Sequence, residues 1–381
     1  MYRGECLTHV AAFGDMVCSA PLNFLTATTP GGGRNNRPFA LIMGMPVLPP
    51  PRFGGGIPGD GGMVDNNCAC SDDGAFSLEP TQHLPVLKEE VLRFLSPEPG
   101  KVIVDGTLGA GRHARAILEK LLPDGMLIGI DRDPKMLDIA AKSLEEFPRG
   151  SYRLFEGSYA QIDEVLEEVG IDAVDGIFID AGFATPQILD PDRGFSYRVD
   201  GPLDMRYSPD ETSAEELINT LSQEELAEAF RRFGEVRFAG RVADRIVRQR
   251  AIKPISGTQE LAEIIEKAVP GRARKQRPAR LFFQGLRILV NKELDHLKTL
   301  LEIAPGFLKP GAVIVVISYH SLEDRLVKQS FRKWAEEGFL AVETRKVVTP
   351  TEEEAQVNPQ ARSARLRAAR RIEDTEKGDQ I

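Results

Sequence analysis

Apolar runs alternate with amphipathic segments along much of the chain, and several of these runs end in an aspartate. Apolar runs that end in an aspartate, at 102–105, 126–131 and 177–180, predict buried strands, and the segment 152–155 is predicted to be a further strand. Apolar residues at helical spacing, at 86–95, 114–122, from 134 and at 162–169, predict helices before and between them. Strands that alternate with helices form a parallel sheet, so this part of the chain is predicted to be an α/β domain.

The alternation stops between about 186 and 278, where the pattern predicts helices at 214–220, 224–233, 238–250 and 258–269 with no strand between them. It resumes with a helix at 279–304, a strand at 312–318 and a helix at 322–334. The helical block is therefore predicted to be an inserted domain at 189–278. The sheet domain is predicted to have a first part at 81–188 and a second part at 279–371, followed by a tail at 372–381.

Residues 1–80 show no hydrophobic periodicity of a helix or a strand, because runs of glycine and proline at 31–33, 49–51 and 54–56 interrupt it. Such a segment buries too little apolar surface to offset the entropy of ordering it, so we predict a disordered extension. Two interpretations of it stay open. It is a dispensable extension, or it is a transit peptide that directs the chain to an organelle.

The strand ends carry the candidate chemistry. Asp105 ends the first strand and leads into a turn containing Gly109 and Gly111, and Asp131 ends the second strand about twenty residues later. Glycines let a backbone approach a ligand closely, and an acid at the next strand end suits a ribose diol. An acid before the glycines is more typical of S-adenosylmethionine (SAM) sites than of dinucleotide sites, although an NAD site and a plain tight turn remain alternatives. A third strand brings Asp180 to the same edge.

Composition narrows the classes of function. The chain has 28% charged and 42% hydrophobic residues, a net charge of -9 and no apolar run of membrane-spanning length. All four cysteines precede residue 81, and the five histidines show no metal-ligand spacing, so we expect neither a membrane segment nor a metal site. No Gly-x-Ser-x-Gly motif supports a hydrolase.

Basic residues cluster locally against this acidic background. Arg237, Arg241, Arg245 and Arg248 recur at three- and four-residue steps on one predicted helix, and further clusters lie at 272–280 and 362–371. They predict phosphate contacts with a nucleic acid, with an ordinary solvated surface as the alternative. The charged loops around Arg206 and around Ser318 and His320 follow predicted strands, where substrate-binding residues are common.

Several longer motifs resemble the RsmH/MraW family, the small-subunit (16S) ribosomal RNA cytosine-N4 methyltransferases. They occur in order between about 81 and 370 and begin at His83, Asp105, Arg193, Asp200, Phe283, Leu286, His320 and Asn358. The resemblance implies a Rossmann-like class I SAM-dependent methyltransferase, interrupted by a helical insertion, that methylates the N4 amine of a decoding-centre cytidine. It also implies a cytoplasmic enzyme, monomeric or homodimeric, that acts on an assembled or nearly assembled small subunit.

The same resemblance assigns roles to individual residues. The cofactor residues are Gly109, Gly111, Arg112, His113, Asp131, Tyr159, Asp180 and Gln187, with Asp180 also catalytic, and the substrate residues are Arg206, Arg237, Arg241, Ser318 and His320. Arg112 and Ala114 stand where the family usually has Gly and Ser, and Phe183 and Ala184 stand where it usually has Val and Ser. These departures leave a second interpretation, a catalytically weakened rRNA-binding or assembly factor of the same fold. An NAD-dependent oxidoreductase is a more distant third.

Overall fold

The computed structural model describes residues 84–271 and 278–373. The predicted N-terminal extension, His83, most of the basic cluster at 272–280 and all but the start of the C-terminal tail lie outside these residues. Within them, no helix combines the length and apolar character needed to cross a membrane.

Seven strands form one sheet in the order β3-β2-β1-β4-β5-β7-β6. The strands β1 to β5 run parallel, and β7 runs antiparallel to both β5 and β6. The predicted parallel α/β sheet is confirmed, and β6 and β7 are additional strands that the hydrophobic pattern did not indicate. The strands are β1 Val102–Asp105, β2 Met126–Asp131, β3 Tyr152–Glu156, β4 Val174–Asp180, β5 Leu308–Ser318, β6 Leu340–Val342 and β7 Arg365–Arg371.

Thirteen α-helices cover the sheet or form the insertion in the part of the chain that the structure describes. Their ends follow local chemistry: Asp133 accepts a hydrogen bond from the Lys135 amide to cap α3, and Ser222 caps α7. The helices are α1 Lys88–Leu95, α2 Arg112–Leu121, α3 Pro134–Ser143, α4 Ile162–Val169, α5 Thr185–Leu189, α6 Ala214–Thr220, α7 Gln223–Gly234, α8 Ala239–Arg250, α9 Thr258–Ala268, α10 Ala279–Asn291, α11 Glu293–Phe307, α12 Ser321–Glu336 and α13 Glu352–Val357.

Both faces of the sheet are buried, as expected when helices cover a parallel sheet on two sides. On β1, Ile103 packs into one hydrophobic cluster and Val104 into the other. On β5, Val315 and Val316 divide between the same two clusters. Because successive strand residues point to opposite faces, continuous apolar runs were the correct signal for these strands.

The helices α6 to α10 share a separate hydrophobic cluster that contains, among others, Leu226, Ile246, Ile265 and Phe282. The predicted helix at 279–304 is two helices, because Lys292 adopts a left-handed backbone conformation, φ 49°, between α10 and α11. Since α10 packs into the helical cluster, the core of the insertion continues to Asn291 rather than ending at 278. The division of the chain into parts otherwise stays a proposal.

Candidate active site

Three aspartates end adjacent strands at one edge of the sheet. β1 lies between β2 and β4, so Asp105, Asp131 and Asp180 meet at their carboxyl ends. A cavity that is partly open to solvent lies at this edge. Asp131 and Asp180 line the cavity, and Asp105 is completely buried beside it. The predicted convergence of the three carboxylates is therefore present in the fold.

The glycine turn closes one side of this cavity. The Gly109 amide donates a hydrogen bond to Asp131 Oδ2 at 2.7 Å, which ties the turn after β1 to the end of β2. Gly109 and Gly111 have φ of 52° and 77°, a conformation that glycine adopts at little cost. Gly109 lines the cavity, whereas Gly111 acts as the N-cap of α2 and does not.

Burial dominates the electrostatics of the three acids. It raises the pKa of Asp105 to about 8, of Asp131 to about 6 and of Asp180 to about 7. Backbone amides oppose this rise at Asp131, and the Tyr319 hydroxyl, which donates to Asp180 Oδ1 at 2.8 Å, opposes it at Asp180. Asp105 Oδ2 has no hydrogen-bond partner among the described residues. The carboxyl groups at this edge of the sheet can thus bind a positively charged group or hydrogen-bond donors.

His113 stands beside Asp180 in the neutral form. Its Nε2 lies 2.9 Å from the Val86 carbonyl oxygen, which can only accept, so Nε2 carries the proton and Nδ1 is bare. Nδ1 lies 3.6 Å from Asp180 Oδ2. Burial lowers the pKa of His113 to about 4, so the ring is uncharged near neutral pH.

The remaining candidate cofactor residues also border the cavity. Tyr159 begins a short 3-10 helix after β3, and burial raises its pKa. Gln187 holds the loop after β4, because its Oε1 accepts from the Ala184 amide and its Nε2 donates to Asp133. Arg112 lies half-buried in the cavity wall and makes no hydrogen bond or ion pair with any described residue. Its guanidinium borders the cavity without a carboxylate to neutralise it.

None of the five candidate substrate residues lines the cavity. Arg206 pairs with Asp204 at 2.7 Å, Ser318 is buried against the Arg365 carbonyl, and His320 is the N-cap of α12. Arg237 and Arg241 are exposed at the start of α8, where an RNA could reach them. Their roles stay predictions.

Three arginines of the C-terminal basic cluster form hydrogen bonds or ion pairs with other parts of the fold. Arg367 pairs with Asp324 at 2.7 Å, Arg370 pairs with Glu343 at 2.7 Å, and Arg371 donates to the Leu308 carbonyl. Their guanidinium groups are engaged by the protein itself. These partners compete with the phosphate contacts predicted for this cluster, which stay a prediction.

Sequence reasoning missed two acids in the cavity wall, Glu293 and Glu323. Glu323 accepts from the backbone amides of Tyr319 and His320, and despite burial the neighbouring His320 holds its pKa below the ordinary value. The Arg287 guanidinium donates two hydrogen bonds to the Glu293 carboxylate, at 2.8 and 2.9 Å. Glu323 stands in the motif that begins at His320, which could have drawn attention to it, but nothing local marks Glu293.

Glu293, His320 and Glu323 are also the one group in the described part of the chain that could hold a metal ion, with ligand atoms within 4.8 Å of one another. Both oxygens of Glu293 are already bound by Arg287, and His320 Nε2 lies 3.0 Å from Glu323 Oε1. We therefore interpret this group as a buried network of ion pairs.

The strand order with an antiparallel β7, together with a glycine turn and strand-end acids around one cavity, defines a SAM-dependent methyltransferase with a Rossmann-like sheet. Comparison with known proteins gives the family. The model of the MraW methylase family matches residues 80–372, and the chain belongs to that family.

Curated relatives agree with this assignment. A ribosomal RNA small subunit methyltransferase H from Syntrophotalea carbinolica is 45% identical over 315 residues, which cover 78% of this chain and 100% of the relative. A protein of the same name from Geobacter sulfurreducens is 44% identical over 308 residues, covering 76% and 99%. The family resemblance inferred from the motifs is confirmed.

The cavity residues fit SAM. Asp131 uses two backbone amides as partners and keeps acceptor capacity for a ribose diol. Arg112, at the first turn of α2, is suited to the carboxylate of an amino acid. Asp180 lines the cavity, and one of its oxygens, Oδ2, accepts no hydrogen bond from a described residue, which suits a positive sulfonium or ammonium.

Proposed function

We propose that this chain transfers a methyl group from SAM to the N4 amine of a cytidine in small-subunit ribosomal RNA. The cavity carries the proposal: Asp131 and Asp180 meet the glycine turn there, in a chain that is 45% identical to a ribosomal RNA small subunit methyltransferase H. The assembled or nearly assembled small subunit as substrate, and a cytoplasmic location, belong to the same proposal.

The cofactor end of the cavity is built by β1, β2 and α2. In this proposal Asp131 accepts hydrogen bonds from the ribose, Gly109 lets the backbone approach the cofactor, Gly111 begins α2, and Arg112 binds the carboxylate. Tyr159 and Gln187 shape the wall beside them. Bound SAM supplies an electrophilic methyl group on a sulfonium, which carries its own leaving group.

The acceptor end is the acidic wall formed by Asp180, Glu293 and Glu323. An exocyclic amine has two N–H donors and a lone pair delocalised into the ring, so it reacts only when it is held in line by acceptors. Carboxylate oxygens provide such acceptors. Asp180 is the candidate for this role, because the Tyr319 hydroxyl donates to its carboxylate and its backbone amide donates to the Thr107 hydroxyl oxygen at 2.6 Å, which fixes its position.

The protonation state of Asp180 supports this assignment. Burial raises its pKa to about 7, so the free protein holds it partly protonated near neutral pH. A positive charge beside it favours the carboxylate, which then accepts from the amine. The neutral His113 nearby keeps an unprotonated Nδ1 toward the same group.

The helical insertion is proposed to bind the surrounding RNA. Arg241 and Arg245 are exposed on α8 and have no ion-pair partner among the described residues. Because each phosphate contact adds to the salt dependence of binding, Arg241→Gln/Arg245→Gln should reduce the slope of log Kd against log salt by about 2. The matched control Arg332→Gln, on α12, should leave the slope unchanged. An unchanged slope in the double variant contradicts the proposed surface.

The function is tested with labelled SAM and small ribosomal subunits that lack the modification, followed by nucleoside analysis. We expect label in N4-methylcytidine, and a loss of at least 100-fold in single-turnover rate for Asp180→Asn, of the order seen when a preorganised transition-state contact is removed. The exposed Asp163→Asn is the control. Label in another nucleoside refutes the N4 assignment, and binding without transfer supports the assembly-factor interpretation.

A further inference from the structure

A row of aromatic rings ends at the cavity. Phe195 stacks on Tyr207 with ring centroids 5.4 Å apart and planes 21° apart, and Phe183 follows at 6.5 Å and 31°. The Arg287 guanidinium lies 4.8 Å from the centre of the Phe183 ring. Both ends of the row, Phe183 and Tyr207, line the cavity, and Phe183 is 38% exposed whereas Phe195, between them, is 9% exposed.

Phe183 is one of the exposed large hydrophobic side chains in the described part of the chain, and it lines the cavity. Leaving a large aromatic side chain partly in water forgoes free energy that burial would give. The groups around it are held in place, because Arg287 is fixed by its two hydrogen bonds to Glu293 and Tyr207 donates to the same carboxylate at 3.3 Å. The site therefore presents a partly exposed aromatic ring to whatever enters the cavity.

Phe183 lies next to the acid proposed to hold the reacting amine, because it follows Asp180 at the end of β4. The proposed ribose acid Asp131 ends β2, on the other side of β1, and two strand spacings place the ends of β2 and β4 about 10 Å apart. The loop that carries Phe183 also reaches the glycine turn, since a Cβ added at Gly109 would lie 3.5 Å from the Cβ of Ala184. The position beside Asp180 therefore favours a contact with the methyl acceptor.

We propose that Phe183 is the stacking residue for the target pyrimidine base of the RNA. The inference rests on the proposed function, because it assigns the base-binding wall of the same site. A base that reacts at its exocyclic amine must leave its helical stack, and stacking on an aromatic side chain replaces the lost contacts. The ring holds the plane of the base, and Asp180 holds its amine.

The test compares Phe183→Leu with Phe183→Tyr and Phe183→Trp in the full chain. Single-turnover methyl transfer to small subunits that lack the modification is measured at saturating SAM, and affinity for S-adenosylhomocysteine is measured by calorimetry. Loss of one base-stacking contact predicts a 5- to 100-fold slower transfer for the Leu variant, from about 1–3 kcal/mol per stacked base. The Tyr and Trp variants should stay within about threefold of the unaltered protein, because they keep a stacking face.

Affinity for S-adenosylhomocysteine should change by less than about twofold in all three variants, since the ring is proposed to contact the base alone. Transfer by the Leu variant at the unaltered rate overturns the inference. So does a parallel loss of cofactor affinity, which would assign the ring to the adenine, or failure of Tyr and Trp to preserve the rate. If the unaltered protein itself transfers no methyl group, the proposed function fails first, and this assignment fails with it.

Discussion

The ion pair between Arg287 and Glu293 spans the break between α10 and α11 and is expected to contribute strongly to the stability of the fold. Both side chains are buried, at 11% and 8% exposure, and two hydrogen bonds of 2.8 and 2.9 Å join them. Replacing Arg287 by Met leaves the Glu293 carboxylate buried without its counter-charge. Breaking a buried pair in this way costs about 3–5 kcal/mol.

Removing both charges should lower the free energy of unfolding much less than removing Arg287 alone. In Arg287→Met/Glu293→Met no unpaired charge remains, and apolar replacements of a buried pair are often nearly neutral. We expect the double variant to unfold within about 1–2 kcal/mol of the unaltered protein, so that the two substitutions are strongly non-additive. The non-additive part of the unfolding free energy measures the cost of leaving one buried charge without its partner. It does not measure a net stabilisation by the ion pair.

Urea unfolding of the full chain at pH 7, followed by circular dichroism, measures these differences. The exposed pair Lys267–Glu263 on α9 is the control, since both side chains are more than half exposed and Lys267→Met should change stability by less than about 1 kcal/mol. A cost below about 1 kcal/mol for Arg287→Met, or additive costs in the double variant, would refute the reasoning.

Three further predictions concern the cavity and the loops that support it. Asp105 has an ordinary pKa of 3.8 and a folded-state pKa of about 8, so its contribution to stability is present below pH 4 and is lost as the pH rises through 8. The advantage of Asp105→Asn over the unaltered protein in urea unfolding should therefore grow by about 3–4 kcal/mol from pH 5 to pH 8, and a constant difference would contradict this. Gly194 has φ 68° and an added Cβ would lie 2.1 Å from the Pro202 carbonyl oxygen, so Gly194→Ala should lose more than about 2 kcal/mol in thermal unfolding, while Gly240→Ala, with open space around it, should not destabilise the protein. Arg112→Met should weaken S-adenosylhomocysteine binding about tenfold in calorimetry but leave 5′-methylthioadenosine, which lacks the carboxylate, within about twofold; equal losses for both would exclude the proposed contact.

The sequence pattern predicted β1, β2, β4 and β5 well because each contains an apolar run buried on both faces, and the acids that end β1, β2 and β4 mark the sheet edge. The edge strand β3 is only partly buried. The sequence pattern failed at β7, where arginines occupy four of the seven positions. Arg367 is partnered by Asp324, 43 residues away, and Arg370 by Glu343, 27 residues away. The local sequence of such a basic cluster predicts an exposed surface even when the cluster lies on an internal strand. The acids that neutralise it are distant in the chain, so the local sequence does not show them.

The candidate site was likewise predictable from the sequence only in part. The strand-end acids Asp131 and Asp180 and the glycine turn were accessible from sequence, since the fold of a parallel sheet fixes where strand ends meet. Glu293 was not accessible, because its place in the cavity depends on the backbone turn at Lys292, within a segment whose periodicity predicts one continuous helix. The aromatic row likewise joins Phe183, Phe195 and Tyr207 from loops with no common period.

The position of β7 has a consequence for how the polypeptide matures. β5 has eleven residues, of which 312–317 form an apolar run; one flank pairs with β4, and the other pairs with β7 through residues 313–318. During synthesis, a nascent chain that has reached residue 350 displays that flank as an open template for neighbouring polypeptides. Premature stops upstream of Arg365 should therefore yield aggregates rather than merely inactive enzyme, and molecular chaperones that shield sheet edges would be needed most during that interval.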